Sequence, residues 1–132
     1  MTRFAIDAPT ALRLLADGRP LGAGHSLVAP SVLRSHALSC LYRAVREGTL
    51  DEKLGRARLE GVAELKIRLL GDRVSRATAW KLAAQLGWED TPLAEYLAVA
   101  VLQADALVAE DARLLAGAQG VVAVAEFEDL MK

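Results

Sequence analysis

The chain has a single cysteine, Cys40, no long apolar run and no excess of basic charge. One thiol excludes an intramolecular disulfide and a zinc site built from cysteines, and it suits a reducing compartment. No apolar stretch approaches the roughly 20 residues that cross a bilayer. The run from Tyr96 to Leu102 is short and is flanked by acids. A secretory leader is not expected, because Asp7 and Pro9 interrupt any apolar core near the N-terminus. A cytoplasmic protein without membrane contact is therefore expected. Lys and Arg number 16 against 17 Asp and Glu, a net charge of −1. A protein that holds nucleic acid mainly through phosphate charge is usually strongly basic, so any nucleic-acid contact must use a local patch. Internal repeats, low-complexity tracts and linkers are absent. The loop Gly22-Ala23-Gly24-His25 lacks the lysine and the spacing of a phosphate-binding loop.

What is present fits one ordinary globular domain over residues 1–132. The hydrophobic fraction is 53% and the charged fraction 25%, and a chain of this length buries roughly two-thirds of its unfolded surface. Short apolar runs alternate with helical spacing. Arg3 to Ile6 reads as a strand, followed by a helix from Ala8 to about Ala16 with Pro9 in its first turn. Ser26 to Ala29 is a second strand, and Pro30 opens a long helix to about Glu47. Residues 51–64 form a helix weakened by Gly55 and Gly61. Lys66 to Leu70 is a third strand. Helices then run from Ser75 to Leu86 and from Pro92 to about Ala104. Ala106 to Ala109 is a fourth strand, Ala112 to Ala116 a short helix and Val121 to Val124 a last strand before a polar tail. This order predicts an α/β three-layer sandwich, with a mostly parallel, short-stranded central sheet flanked by helices.

Two of the strands end in an aspartate that a helix follows at once: Phe4-Ala5-Ile6-Asp7 and Ala106-Leu107-Val108-Ala109-Glu110-Asp111. In a parallel sheet both carboxylates lie beyond the carboxyl ends of the strands, where open α/β sheets place ligands. Acids gathered there repel one another unless protonated or bridged by a cation, and hard oxygen donors suit Mg²⁺ or Mn²⁺. Either aspartate can instead be only the N-cap of the helix it precedes. Both roles can hold at once.

The layout resembles a PIN domain, and in particular the VapC-type toxins of bacterial toxin–antitoxin pairs. The resemblance spans nearly the whole chain. It rests on Ala5-Ile6-Asp7-Ala8-Pro9-Thr10, on Leu27-Val28-Ala29-Pro30-Ser31 leading into the long helix, on Ala94-Glu95-Tyr96-Leu97-Ala98, and on Ala106 to Asp111. It implies a parallel sheet gathering about four acids around Mg²⁺ or Mn²⁺, cleavage of RNA phosphodiester bonds, a small VapB-like antitoxin as partner and a homodimer. Asp7 and Asp111 match two of the acids and become the expected metal ligands. At the family's glutamate in the long helix stands His36, and at its aspartate near the start of the later helix stands Leu93.

Neighbours offer partial substitutes. Glu95 lies two positions from Leu93, about 200° around a helix, and is either a third catalytic acid or a favourable charge near the helix start. Asp90 sits in the preceding loop within reach of the pocket. Thr10 stands one turn after Asp7 and is suited to orient a carboxylate or a metal-bound water, or to bond locally. His36 brings nitrogen, which biases a site toward Mn²⁺ or Zn²⁺, or is a solvated helix histidine. Arg34 and Arg43 are candidate RNA contacts or part of a solvated face. Cys40 reads as a buried structural thiol, and Trp80 and Trp88 as core or interface anchors. Two functions follow: a metal-dependent endoribonuclease restrained by an antitoxin, or a catalytically impaired PIN-fold binding module that keeps the antitoxin or dimer surface.

Overall fold

The computed structural model describes all 132 residues. Four parallel strands, β1 (Thr2–Ile6), β2 (His25–Pro30), β3 (Arg68–Leu70) and β4 (Ala106–Val108), form one sheet in the order β3-β2-β1-β4. Between them run α1 (Ala8–Asp17), α2 (Leu33–Arg46), α3 (Glu52–Glu64), α4 (Arg73–Leu86) and α5 (Pro92–Gln103), with α6 (Ala112–Ala118) after β4. The chain moves outward from β1 to β2 to β3, then crosses the sheet through α4 and α5 to place β4 on the free side of β1. The order of strands reverses between β1 and β4, and such a switch point opens a crevice at the carboxyl ends of the strands.

The sheet interior is continuous apolar surface, as expected for parallel strands covered on both faces. Phe4, Ala5, Ile6, Leu27, Val28, Ala29, Leu107 and Val108 are all buried. α1, α2 and α3 pack together as one helical layer, and α5 lies across β1, β2 and β4 with α4 and α6 against it. α5 is buried through Ala94 and from Tyr96 to Ala100. The small residues Ala94, Ala98 and Ala100 let its backbone approach the strands closely.

Several sequence boundaries shift. Pro30 is the last residue of β2 and α2 starts at Leu33; a proline lacks an N–H for the ladder and is tolerated where the strand ends. The segment Val121–Val124 is no strand. It contributes one parallel bridge, Val124 to Leu107, because β4 is only three residues long and offers little more to pair. The polar tail holds a 3₁₀ turn, Phe127–Leu130, whose Phe127 and Leu130 are buried. Arg13 stacks over the Phe127 ring at 4.0 Å, and Arg19 bridges Asp17 and Glu128 at 2.7 and 2.9 Å. These contacts hold the C-terminal segment against α1.

Candidate functional site

The crevice at the switch point is built on Asp7. Its backbone is extended at φ −93°, ψ 174°, which ends β1 and turns the side chain back over the first turn of α1. Oδ1 accepts from the Thr10 amide at 2.9 Å and from the Thr10 hydroxyl at 2.6 Å. Oδ2 accepts from the amides of Glu110 and Asp111, both at 3.0 Å. Asp7 is 1% exposed. A carboxylate offers about four lone-pair positions, and here four protein donors face it. Asp7 thus caps α1 and also ties the end of β1 to the turn after β4.

Asp111 is the N-cap of α6, with Oδ1 accepting from the Leu114 amide at 2.9 Å. Both aspartates are therefore helix caps, and they also converge. Asp7 and Asp111 line one cleft of about 210 Å³ together with His36, Cys40, Arg43, Leu93 and Tyr96. α2 supplies His36, Cys40 and Arg43 at i, i+4 and i+7, one stripe of its surface. α5 supplies Leu93 and Tyr96 at i and i+3.

The tyrosine engages one of the two ring nitrogens of the histidine. Tyr96 is 1% exposed, and its hydroxyl lies 2.9 Å from His36 Nδ1, with the two rings stacked at 5.5 Å. Burial, then the nearby Asp7 charge, pushes the phenol well above its ordinary range. The phenol is therefore a neutral hydroxyl, which can donate or accept, and in either sense the bond engages His36 at Nδ1. Of its two ring nitrogens only Nε2 is left for another partner.

The residues do not fit the four-acid Mg²⁺ or Mn²⁺ site that the family resemblance implies. No group of three or more His, Cys, Asp or Glu side chains is arranged to hold a metal ion. The Asp7 oxygens face four donors, Nδ1 of His36 is engaged, and the Leu93 side chain lines the cleft where an acid is expected. Mg²⁺ requires near-octahedral oxygen coordination, and of the two cleft aspartates only Asp111 keeps a carboxylate oxygen without a protein partner.

The other candidates fall on both sides of this boundary. Thr10 serves Asp7 and also reaches the Val108 carbonyl at 3.2 Å. Arg43 lines the cleft, whereas Arg34 is exposed on α2 outside it. Glu95 lies in the first turn of α5 and Asp90 in the exposed loop before it, and neither lines the cleft. Glu95 turns away for the reason its offset from Leu93 gives. Glu110 points outward and pairs with Arg13 at 3.1 Å. Sequence reasoning misses Tyr96 and Cys40 as cleft residues. The signal that could have found them is spacing, since Tyr96 shares a face with Leu93 and Cys40 with His36.

Cys40 is half-buried. Burial is the main cause that raises its thiol pKa; the Asp7 charge adds to this and Arg43 opposes it. The thiolate is the reactive form. Iodoacetamide is therefore expected to label Cys40 more slowly than free cysteine near pH 8. The rate should keep rising with pH beyond the point where free cysteine levels off. Intact-mass spectrometry across a pH series checks this, and rapid labelling at neutral pH would show an activated thiol instead.

No family model matches the chain, and no curated protein matches it either. Among solved structures it is similar to the crystal structure of PAE2754 from Pyrobaculum aerophilum. The two share 21% identity over 98% of this chain and 94% of that one, with a TM-score of 0.71. At this identity the likeness establishes the fold alone.

Proposed function

We propose that this chain is a PIN-like protein of the VapC-toxin class that acts as a binding module. It keeps the fold, the strand-end cleft and the surface for a small VapB-like antitoxin or a second copy, and it has lost most metal-dependent ribonuclease activity. The proposed setting is the cytoplasm. The observation that carries the proposal is the bonding of Asp7, whose carboxylate meets four protein donors and so holds β1, α1 and β4 together. The replacements at His36 and Leu93 point the same way. One apolar side chain and one imidazole bonded to a buried tyrosine stand where acids are expected.

The endoribonuclease is the second reading. It is favoured by the convergence of Asp7, Asp111 and Arg43 on one cleft at the switch point. In that case a divalent cation would supply an activated water for hydrolysis of a phosphodiester, and Arg43 would bind the phosphate.

Incubation of the purified chain with structured and single-stranded RNA, with Mg²⁺ or Mn²⁺, separates the two. The binding-module reading expects intact RNA even at equimolar protein. It also expects a stable complex when the chain is co-expressed with a small protein encoded beside it. Multiple-turnover cleavage that needs metal and is lost in Asp111→Asn would overturn it.

A further inference from the structure

Two opposite charges meet in the strand-end cleft without pairing. Arg43 and Asp111 both line it, yet neither takes part in any of the four ion pairs of the chain. Arg43 is exposed on α2 and borders the cleft from that side. Asp111 stands at the start of α6 and uses only Oδ1 for its cap to Leu114, so Oδ2 is open. Asp7 adds a second negative charge, but its oxygens already face four donors and offer a ligand no further lone pair. The cleft groups free to take a partner therefore include a guanidinium, a carboxylate oxygen and Nε2 of His36. Ser39 adds a hydroxyl one turn before Arg43 on the same side of α2. Ala8, Pro9 and Leu93 supply apolar lining.

These groups select among ligands by charge. Two carboxylates against one guanidinium leave the cleft net negative, so a phosphate would gain Arg43 and be repelled by the rest. A simple amine would satisfy Asp111 and face Arg43 unpaired. A simple carboxylate would do the reverse. An apolar molecule would strip water from both charges and pair neither. A zwitterion satisfies both at once, with an ammonium on Oδ2 of Asp111 and a carboxylate on the Arg43 guanidinium, each through charge-assisted hydrogen bonds. The cleft volume of about 210 Å³ lies below the roughly 300–1,000 Å³ of pockets for drug-sized ligands. Both charges are thus within reach of one compact molecule, whose remaining group must be small and apolar to meet Pro9 and Leu93.

We propose that the cleft binds a free amino acid with a small apolar side chain, its ammonium held by Asp111 and its carboxylate by Arg43. Such binding rests on the metal-free cleft of the functional reading above and gives that cleft its ligand. The site is open to water on the Arg43 side, so the dissociation constant belongs on the order of 0.1–1 mM.

Titration of the isotopically labelled full chain, followed through its amide chemical shifts, tests the site with L-valine, isobutylamine and isovalerate. The last two are valine without its carboxylate and valine without its ammonium. Valine should give saturable shifts confined to the start of α1, the cleft side of α2 and the start of α6. Each half-molecule should bind at least about tenfold more weakly, because it leaves one charge without a partner. Arg43→Gln should weaken valine at least about tenfold and isobutylamine not at all. Asp111→Asn keeps a capping side chain; it should weaken valine to a similar degree and isovalerate not at all. The site is contradicted if shifts fail to saturate by about 20 mM valine, or if they lie outside the cleft. It is equally contradicted if a half-molecule or inorganic phosphate binds as tightly as valine. Should valine fail while Mn²⁺ binding and RNA cleavage are also absent, the amino-acid site falls alone and the binding-module reading stands. Metal-dependent cleavage overturns that reading and the site with it.

Discussion

Replacing Asp7 should unfold this protein more readily than any other single change in the cleft. Asp7→Ala leaves the amides of Thr10, Glu110 and Asp111 and the hydroxyl of Thr10 without their acceptor, the two Thr10 donors fully buried and the other two amides partly so. An unsatisfied buried donor costs about 1–3 kcal/mol, and more where its bond was to a charge. Partial relaxation and the alternative bond of Thr10 to the Val108 carbonyl reduce the total. The expected loss is about 3–5 kcal/mol, or roughly 10–15 °C in Tm for a chain of this size. Asp7→Asn should lose about 2–3 kcal/mol, since one end of the amide still accepts while its NH₂ turns toward amides that can only donate. Thr10→Val should lose about 1–2 kcal/mol, the share of the hydroxyl. Urea denaturation of the three variants without added metal reads this series. An Asp7→Asn variant as stable as the wild type would mean that the carboxylate is not held by these donors and is free for a ligand.

Returning acids to the cleft should have the opposite character. In His36→Glu with Leu93→Asp, two carboxylates join Asp7 and Asp111 along the stripes of α2 and α5 that line the site. Without metal the four acids repel, so the variant should be less stable than the wild type at neutral pH and regain stability as acid protonates the new groups. With Mn²⁺ the sign changes. Affinity should rise on the order of 100-fold over the wild type, because each added anionic oxygen both attracts and coordinates the cation. Binding to the folded state alone then raises Tm with metal concentration. Leu93→Asp alone should give a smaller rise, with the bond between His36 and Tyr96 left in place. A thermal shift series with and without Mn²⁺ checks both signs. Equal responses in the variants and the wild type would show that these positions do not share a site.

The layers and the sheet are legible in the sequence because apolar period and glycine placement agree along most of the chain. β1 and β4 are adjacent and parallel, as their matching strand–aspartate–helix endings suggest. Asp7 and Asp111 are legible for the same reason. The bonding of Asp7 is not, because the amides of Glu110 and Asp111 reach it from about a hundred residues away. The pairing of His36 with Tyr96 likewise joins α2 to α5 and leaves no local trace. Trp80 reads as a core or interface anchor because apolar residues surround it in sequence; the helix phase puts Ala79 and Ala83 on the buried side of α4 and leaves Trp80 exposed. The C-terminal turn is hidden because Phe127 and Leu130 stand among acids with no helical run around them. Residue type and proximity in sequence draw Glu95 and Asp90 toward the site, and the phase of α5 turns the first away.

Calorimetric titration of the wild-type chain with Mn²⁺ near neutral pH tests the central claim most directly. A cleft whose one buried aspartate is held by four protein donors, and whose other acid positions are His36 and Leu93, should show no saturable binding at sub-millimolar metal. Stoichiometric binding in the micromolar range that disappears in Asp111→Asn would contradict it.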